Sequence, residues 1–134
     1  MMKEREPLLL QYCLQKKGAY IDQPFGPESL TVKVEGHIFA QFGCGRDHNL
    51  VTFKCSRAVG EFYRQQYPGV VVRGWHCPPV QQPYWNSMEA EKVPWDELRN
   101  MADHGYMAVL DKLTRREREH LQSQTADGAT SPEM

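Results

Sequence analysis

The chain has no long hydrophobic run. Its first apolar run is Leu8-Leu9-Leu10, too short for a secretory core. No stretch approaches the ~20 apolar residues that cross a bilayer. The expectation is a soluble, cytoplasmic protein with no membrane partner. A charge excess is missing as well: 16 basic residues stand against 17 acidic ones, a net charge of −1. Without residues 122–134, which hold Asp127 and Glu133 and no lysine or arginine, the balance is only +1. That neutrality argues against strong non-specific binding to nucleic acid, though a locally basic face is compatible with it.

Paired cysteines are absent. Cys13, Cys44, Cys55 and Cys77 are scattered, with no Cys-x-x-Cys. Structural zinc favours such tight pairs, and disulfides need an oxidising compartment. The four therefore read as reduced thiols, with Cys13 and Cys55 in apolar, core-like patterns. Cys44 and His48 are four apart, which is not paired-ligand spacing, so no metal is expected. Ser56 and Ser87 lack the G-x-S-x-G setting of a nucleophile elbow. Gly43-x-Gly45 lacks the rest of a dinucleotide fingerprint. Cys44, between two glycines and near Arg46 and His48, reads as an exposed thiol and is the sole nucleophile candidate. No cofactor, no catalytic residue and no enzymatic activity are expected.

What is present is a sequence of ordered elements. Leu10, Cys13 and Leu14 make the apolar stripe of a first helix over 3–17, closed by Gly18. The stretch 19–28 reads as a loop, with Phe25 as one buried aromatic among Pro24, Gly26 and Pro27. Leu30, Val32 and Val34 alternate with polar residues, as in a half-buried strand. Glu35-Gly36 turns the chain into a second strand. With Ile38, Ala40 and Phe42 inward, Phe39 and Gln41 share the outer face with Lys33. A third strand over 50–55 adds Thr52 and Lys54 to that face. Ser56 caps a helix through Gln66, which Tyr67-Pro68-Gly69 ends. Strands over 70–73 and 84–88 flank a proline-rich loop. Pro94 opens a last helix whose packing stripe runs from Leu98 through Gly105 to Leu113, with Arg115, Arg116 and Arg118 near its end. Residues 122–134 are polar and read as a disordered tail behind a single domain over 1–121. The fold class is α+β: an antiparallel sheet of about five strands in the order α-βββ-α-ββ-α, with helices packed on one face.

These residues resemble the MmcQ/YjbR family, with its CyaY-like (frataxin-like) fold. The resemblance rests on Pro24-Phe25-Gly26, Lys33, Gly36, Phe39-Ala40, Lys54-Cys55, Tyr67-Pro68-Gly69, Trp85, Asp96-Glu97-Leu98, His104 and Tyr106. It covers roughly residues 8 to 113 and implies DNA binding, itself a fold-level description of the family. The chain departs from the family before the fifth strand. Where members carry a Tyr-His-Met-Asn-Lys-x-His-Trp-like segment, Gln82 takes the lysine position and Tyr84 the second histidine position.

Two surfaces follow as candidates. The first is the outer sheet face, where Lys33, Lys54, Arg57 and Arg73 would contact phosphate and Phe39 would stack on a base. Its plain alternative is a solvated face with one exposed Phe or a Phe under a loop. The second is the aromatic loop of Trp75, His76, Tyr84 and Trp85, suited to a small ligand or a protein partner. Its plain alternative is a satellite core beneath a long loop.

Overall fold

The computed structural model describes residues 5–24, 26 and 28–130, without the side chains of 125–130. Phe25, expected to pin the first loop, lies outside the described residues. Helix α1 spans Arg5–Leu14 and buries Leu9 and Cys13. Strands β1 (Tyr20–Asp22), β2 (Leu30–Val34), β3 (His37–Cys44) and β4 (Leu50–Lys54) follow. Then come α2 (Arg57–Gln66), β5 (Val72–Arg73), β6 (Trp85–Met88), α3 (Trp95–Leu110) and α4 (Arg115–Thr130). Among the described residues six strands form one sheet in the order β1-β2-β3-β4-β6-β5, every pair antiparallel.

The turn at Glu35-Gly36 has positive φ at both residues, 51° and 81°. That is the geometry of a two-residue hairpin turn whose twist matches its strands. It pairs Val34 with His37, but the register then slips. Val32 opposes Ala40 and Lys33 opposes Ile38, so Phe39 is an extra residue on β3. A bulge of this kind breaks strict alternation. Phe39 is thus not on the outer face but fully buried, its ring 5.4 Å from that of Tyr106 in an edge-to-face pair. The expected stacking residue is a core residue.

Helix α3 lies unusually close to the sheet over this bulge. A Cβ on Gly105 would come within 2.9 Å of the Lys54 carbonyl oxygen and 3.1 Å of that of Phe39. Leu98, Met101, Ala102, Tyr106 and Val109 bury the stripe on either side. Helix α1 packs beside α3. Tyr12 donates to Asp103 at 2.6 Å, Lys16 pairs with the same carboxylate at 2.5 Å, and Tyr106 donates to the Lys17 carbonyl at 2.6 Å. Helix α2 begins at Ser56, whose hydroxyl accepts from the Val59 amide. The Ser56 amide donates in turn to His104 Nε2 at 3.0 Å, tying α2 to α3.

Two expectations need correction. β1 is a short edge strand where a loop was read. Three residues carry too little periodicity to announce a strand, and it exists by pairing with β2. The last helix also stops at Leu110, and a separate helix runs from Arg115 to Thr130 through most of the expected disordered tail. The cause is a capping box. The Glu117 amide donates to Thr114 Oγ1, and the Glu117 carboxylate accepts from the Thr114 amide. Leu121 then docks α4 on the core at 5% exposure. His120–Glu35 and His37–Glu117 contacts tether the helix to the β2–β3 hairpin.

Two predictions follow from these contacts. Gly105→Ala should lower unfolding free energy by about 1–3 kcal/mol in urea titration, because overlap with fixed backbone outweighs the gain in helix propensity. A stabilised variant would contradict the close approach. Burial lowers the His104 pKa below its ordinary 6.5. The folded state therefore favours neutral His104, and its contribution is complete above the unfolded pKa and lost as pH falls below about 6.5. Between about pH 7 and about pH 5 the wild type should lose more stability than His104→Gln; equal losses would remove His104 from the acid response.

Candidate functional site

The sheet face away from α2 and α3 is not simply solvated. Its side chains include Thr31, Gln41, Thr52, Lys54, Trp85 and Ser87, given by alternation from the register. Thr31 and Ser87 are completely buried and Thr52 nearly so. Small polar residues can be buried only if their hydroxyls find partners. Thr52 Oγ1 and Ser87 Oγ share a hydrogen bond of 2.7 Å. Ser87 Oγ also accepts from the Trp75 amide at 2.8 Å. That bond lays the segment after β5 across the sheet. Thr31 Oγ1 donates to the Asp22 carbonyl at 2.9 Å, and Gln41 Nε2 donates to Ser29 Oγ at 3.1 Å. Among the described residues no buried side-chain nitrogen or oxygen lacks a partner.

Between the 75–81 segment on one side and Gly26, Glu28, Ser29 and the 43–48 turn on the other lies a cleft of about 700 Å³. Ile38, Gln41, Thr52 and Trp85 line it from the sheet, with Cys44 beside them, and Trp75, His76, Cys77 and His48 form its rim. His76 stands in a left-handed conformation at φ 57°, its ring edge-to-face with Trp75 at 4.4 Å. His48, also left-handed at φ 55°, places Nδ1 3.2 Å from the Gly43 carbonyl and Nε2 2.8 Å from Glu28. Trp75 is 38% exposed, which leaves a large aromatic face at the mouth.

Burial disfavours the thiolate form of both cysteines here. Burial pushes the Cys44 and Cys77 pKa values up, with a smaller opposing effect on Cys44 from a hydrogen bond with Thr52. Cys44, expected to be exposed, is buried, its Sγ directed to the Gln41 carbonyl. Among the described residues no three His, Cys, Asp or Glu side chains converge as metal ligands, and no helix is long and apolar enough to cross a membrane.

The expected phosphate-contacting set is dispersed. Lys33 and Lys54 lie on the outer face. Lys33 is already paired with Asp22 at 2.7 Å, a hydrogen bond that raises the lysine pKa and lowers that of the aspartate. Arg57 sits in the first turn of α2. Arg73 opposes Asn86, whose side chain contacts Gly60 and Arg64 of α2, so Arg73 belongs to the helix side of the sheet. Phe39 is buried. Of the aromatic set, Trp75, His76 and Trp85 come together at the cleft. Tyr84 does not line it and instead stacks against Lys112, 6.0 Å from its Nζ.

A family model described as YjbR matches residues 14–108. The chain belongs to the YjbR family. The match spans every cleft residue and ends before α4. Among proteins of curated function none matches this YjbR chain. A solved structure similar to it is the Deinococcus radiodurans protein DR2400, described as a DUF419 domain. It is 24% identical, covers 85% of each chain and superposes with a TM-score of 0.74. A Pseudomonas syringae protein is 13% identical over 78% of this chain and 96% of its own, with a TM-score of 0.58. At these identities the two structures speak to fold alone.

Reading the YjbR sequence by itself misses Gln41, Thr52 and Ser87 as cleft builders. Their signal was available: small polar residues in three strands at positions that face one side. Ser87→Ala should cost about 1–3 kcal/mol by orphaning the Trp75 amide and Thr52 hydroxyl. Chemical denaturation checks this, and an unchanged midpoint would mean that the hydroxyl does not hold the loop.

Proposed function

We propose that this YjbR protein is a binding module, not an enzyme, and that it holds a flat, mostly apolar small molecule in the cleft beneath the 75–81 segment. The observation that carries this reading is the cleft itself. Its volume lies in the range of roughly 300–1,000 Å³ typical of small-molecule sites. Trp75 and Trp85 supply apolar faces, while Gln41, Thr52 and His48 supply a few polar groups. Aromatic walls with sparse polar contacts suit a planar guest, since rings gain from offset or edge contact beyond simple burial. The raised thiol pKa values favour binding over nucleophilic chemistry.

DNA binding through the outer face has less support. It needs several cations and a stacking aromatic on one accessible surface. Here the aromatic is in the core, two arginines lie on the helix side, and one lysine is already neutralised by Asp22.

The test uses an uncharged aromatic dye, N-phenyl-1-naphthylamine, with tryptophan excitation. The expected result is saturable, one-to-one binding with energy transfer from tryptophan, little changed between roughly 50 and 200 mM salt. Trp75→Ala should weaken it about tenfold or more, corresponding to ~1.4 kcal/mol of lost contact. Absence of saturable binding, or equal affinity in Trp75→Ala, would sink the cleft reading. Labelled DNA bound with steep salt dependence, and dye excluded, would favour the nucleic-acid reading instead.

A further inference from the structure

Beside the cleft, where β4 ends and β6 begins, a second recess of about 410 Å³ shares two of its walls, Ile38 and Trp85. Its distinguishing residues are Lys54 and Lys112. Lys54 is half-buried, its Nζ 4.9 Å from the centre of the Trp85 ring. Lys112, just past the end of α3, reaches over Tyr84. Among the described residues neither ammonium has a carboxylate within ion-pair distance, whereas Lys16, Lys33 and Lys92 each have one. Of the acids in this region, Asp111 precedes Lys112 and Glu117 is engaged by His37 and by the Thr114 amide.

The two ammoniums repel each other across this recess. Two like charges face a shared recess, and one of them has lost part of its hydration. Burial lowers the Lys54 pKa, and Lys112 lowers it further. The negative end of α3 favours Lys112 at its position, but it gives no account of Lys54. Contacts with aromatic faces offset the repulsion only in part. An oxyanion between the two ammoniums would neutralise both and accept hydrogen bonds from each.

We infer that Lys54 and Lys112 form an oxyanion subsite, and that the molecule held in the cleft is a planar aromatic or conjugated compound with a phosphate or carboxylate group. Trp85 is the common wall: the planar body packs on its cleft side and the anionic group passes to the lysines. The ligand class rests on the cleft reading above; the oxyanion subsite stands on the two lysines alone.

Two measurements separate these. In the first, inorganic phosphate is titrated against chloride at constant ionic strength and followed by amide and indole NMR. Saturable shifts at Lys54, Lys112 and the Trp85 indole are expected, and they should vanish in the Lys54→Gln, Lys112→Gln double variant. Absent saturation, or shifts that persist in that variant, would overturn the subsite. In the second, 1-anilinonaphthalene-8-sulfonate, an anionic relative of the uncharged dye, is compared with it. The sulfonate should bind the wild type at least tenfold more tightly than the double variant, while the uncharged dye binds both alike. Phosphate saturation without uptake of the uncharged dye would leave the subsite standing and overturn the ligand class. Equal sulfonate affinity in both proteins would overturn the link between the two recesses. A short oligonucleotide that displaces phosphate from these lysines far below the phosphate concentration needed would overturn the small-molecule assignment.

Discussion

The contact on which the architecture turns is the seating of α3 against the bulge in β3. Gly105 lets the helix backbone approach the carbonyls of Phe39 and Lys54. The bulge aims Phe39 under Tyr106. Together they put both bulky residues of this part of β3, Phe39 and Phe42, into the core. The opposite face is left with Thr31, Gln41, Thr52 and Ser87 along its middle and Lys33, Ile38, Lys54 and Trp85 toward one end. A sheet whose second face carried Phe39 would present an open apolar-basic surface. This one instead presents a floor of hydroxyls and one amide, which must be partnered by something other than water where they are buried.

For Ser87 that partner is the segment after β5. Ser87 accepts from its Trp75 amide, and the remaining hydrogen-bonding capacity goes to Thr52. The bond from the Trp75 amide sets one wall of the cleft, opposite Glu28, Ser29 and the 43–48 turn. The same bond sets where Trp75 and His76 stand relative to Trp85. The charges around the cleft and the recess beside it differ in how they are compensated. Glu28 and His48 meet at one wall, and Lys33 is held by Asp22, while Lys54 and Lys112 stay uncompensated at the far side.

Much of this was legible from the chain. The hairpin at Glu35-Gly36, the cap at Ser56, the packing stripe through Gly105 and the YjbR resemblance all rest on local chemistry, which a sequence displays directly. Three features escaped for three physical reasons. The bulge at Phe39 depends on which residues of β2 it faces, and simple alternation cannot register an extra residue. The capping box at Thr114 and Glu117 was visible as a Thr-x-x-Glu pattern, but an uninterrupted run of helix-favouring residues masked it. The roof over the sheet is tied by a hydrogen bond between residues 12 apart, and no periodicity announces such a bond. Of the aromatic cluster, Trp75, His76 and Trp85 were identifiable because they are crowded into a short proline-rich stretch. Tyr84 was misplaced because it ends a 3-10 turn, Gln82–Tyr84, instead of opening the strand, which starts at Trp85.

The central claim is that the sheet's outer face is roofed, and that the site is the cleft beneath the roof. Amide hydrogen exchange at Trp75 tests it most directly. The residue sits outside regular structure and its side chain is partly exposed, so an unpinned loop would exchange its amide rapidly. The account predicts protection comparable to that of the neighbouring β6 amides, because the Trp75 N–H is bonded to a buried hydroxyl. Exchange at the rate of an open loop would mean that the face is uncovered in solution, and the cleft would not exist as a binding site.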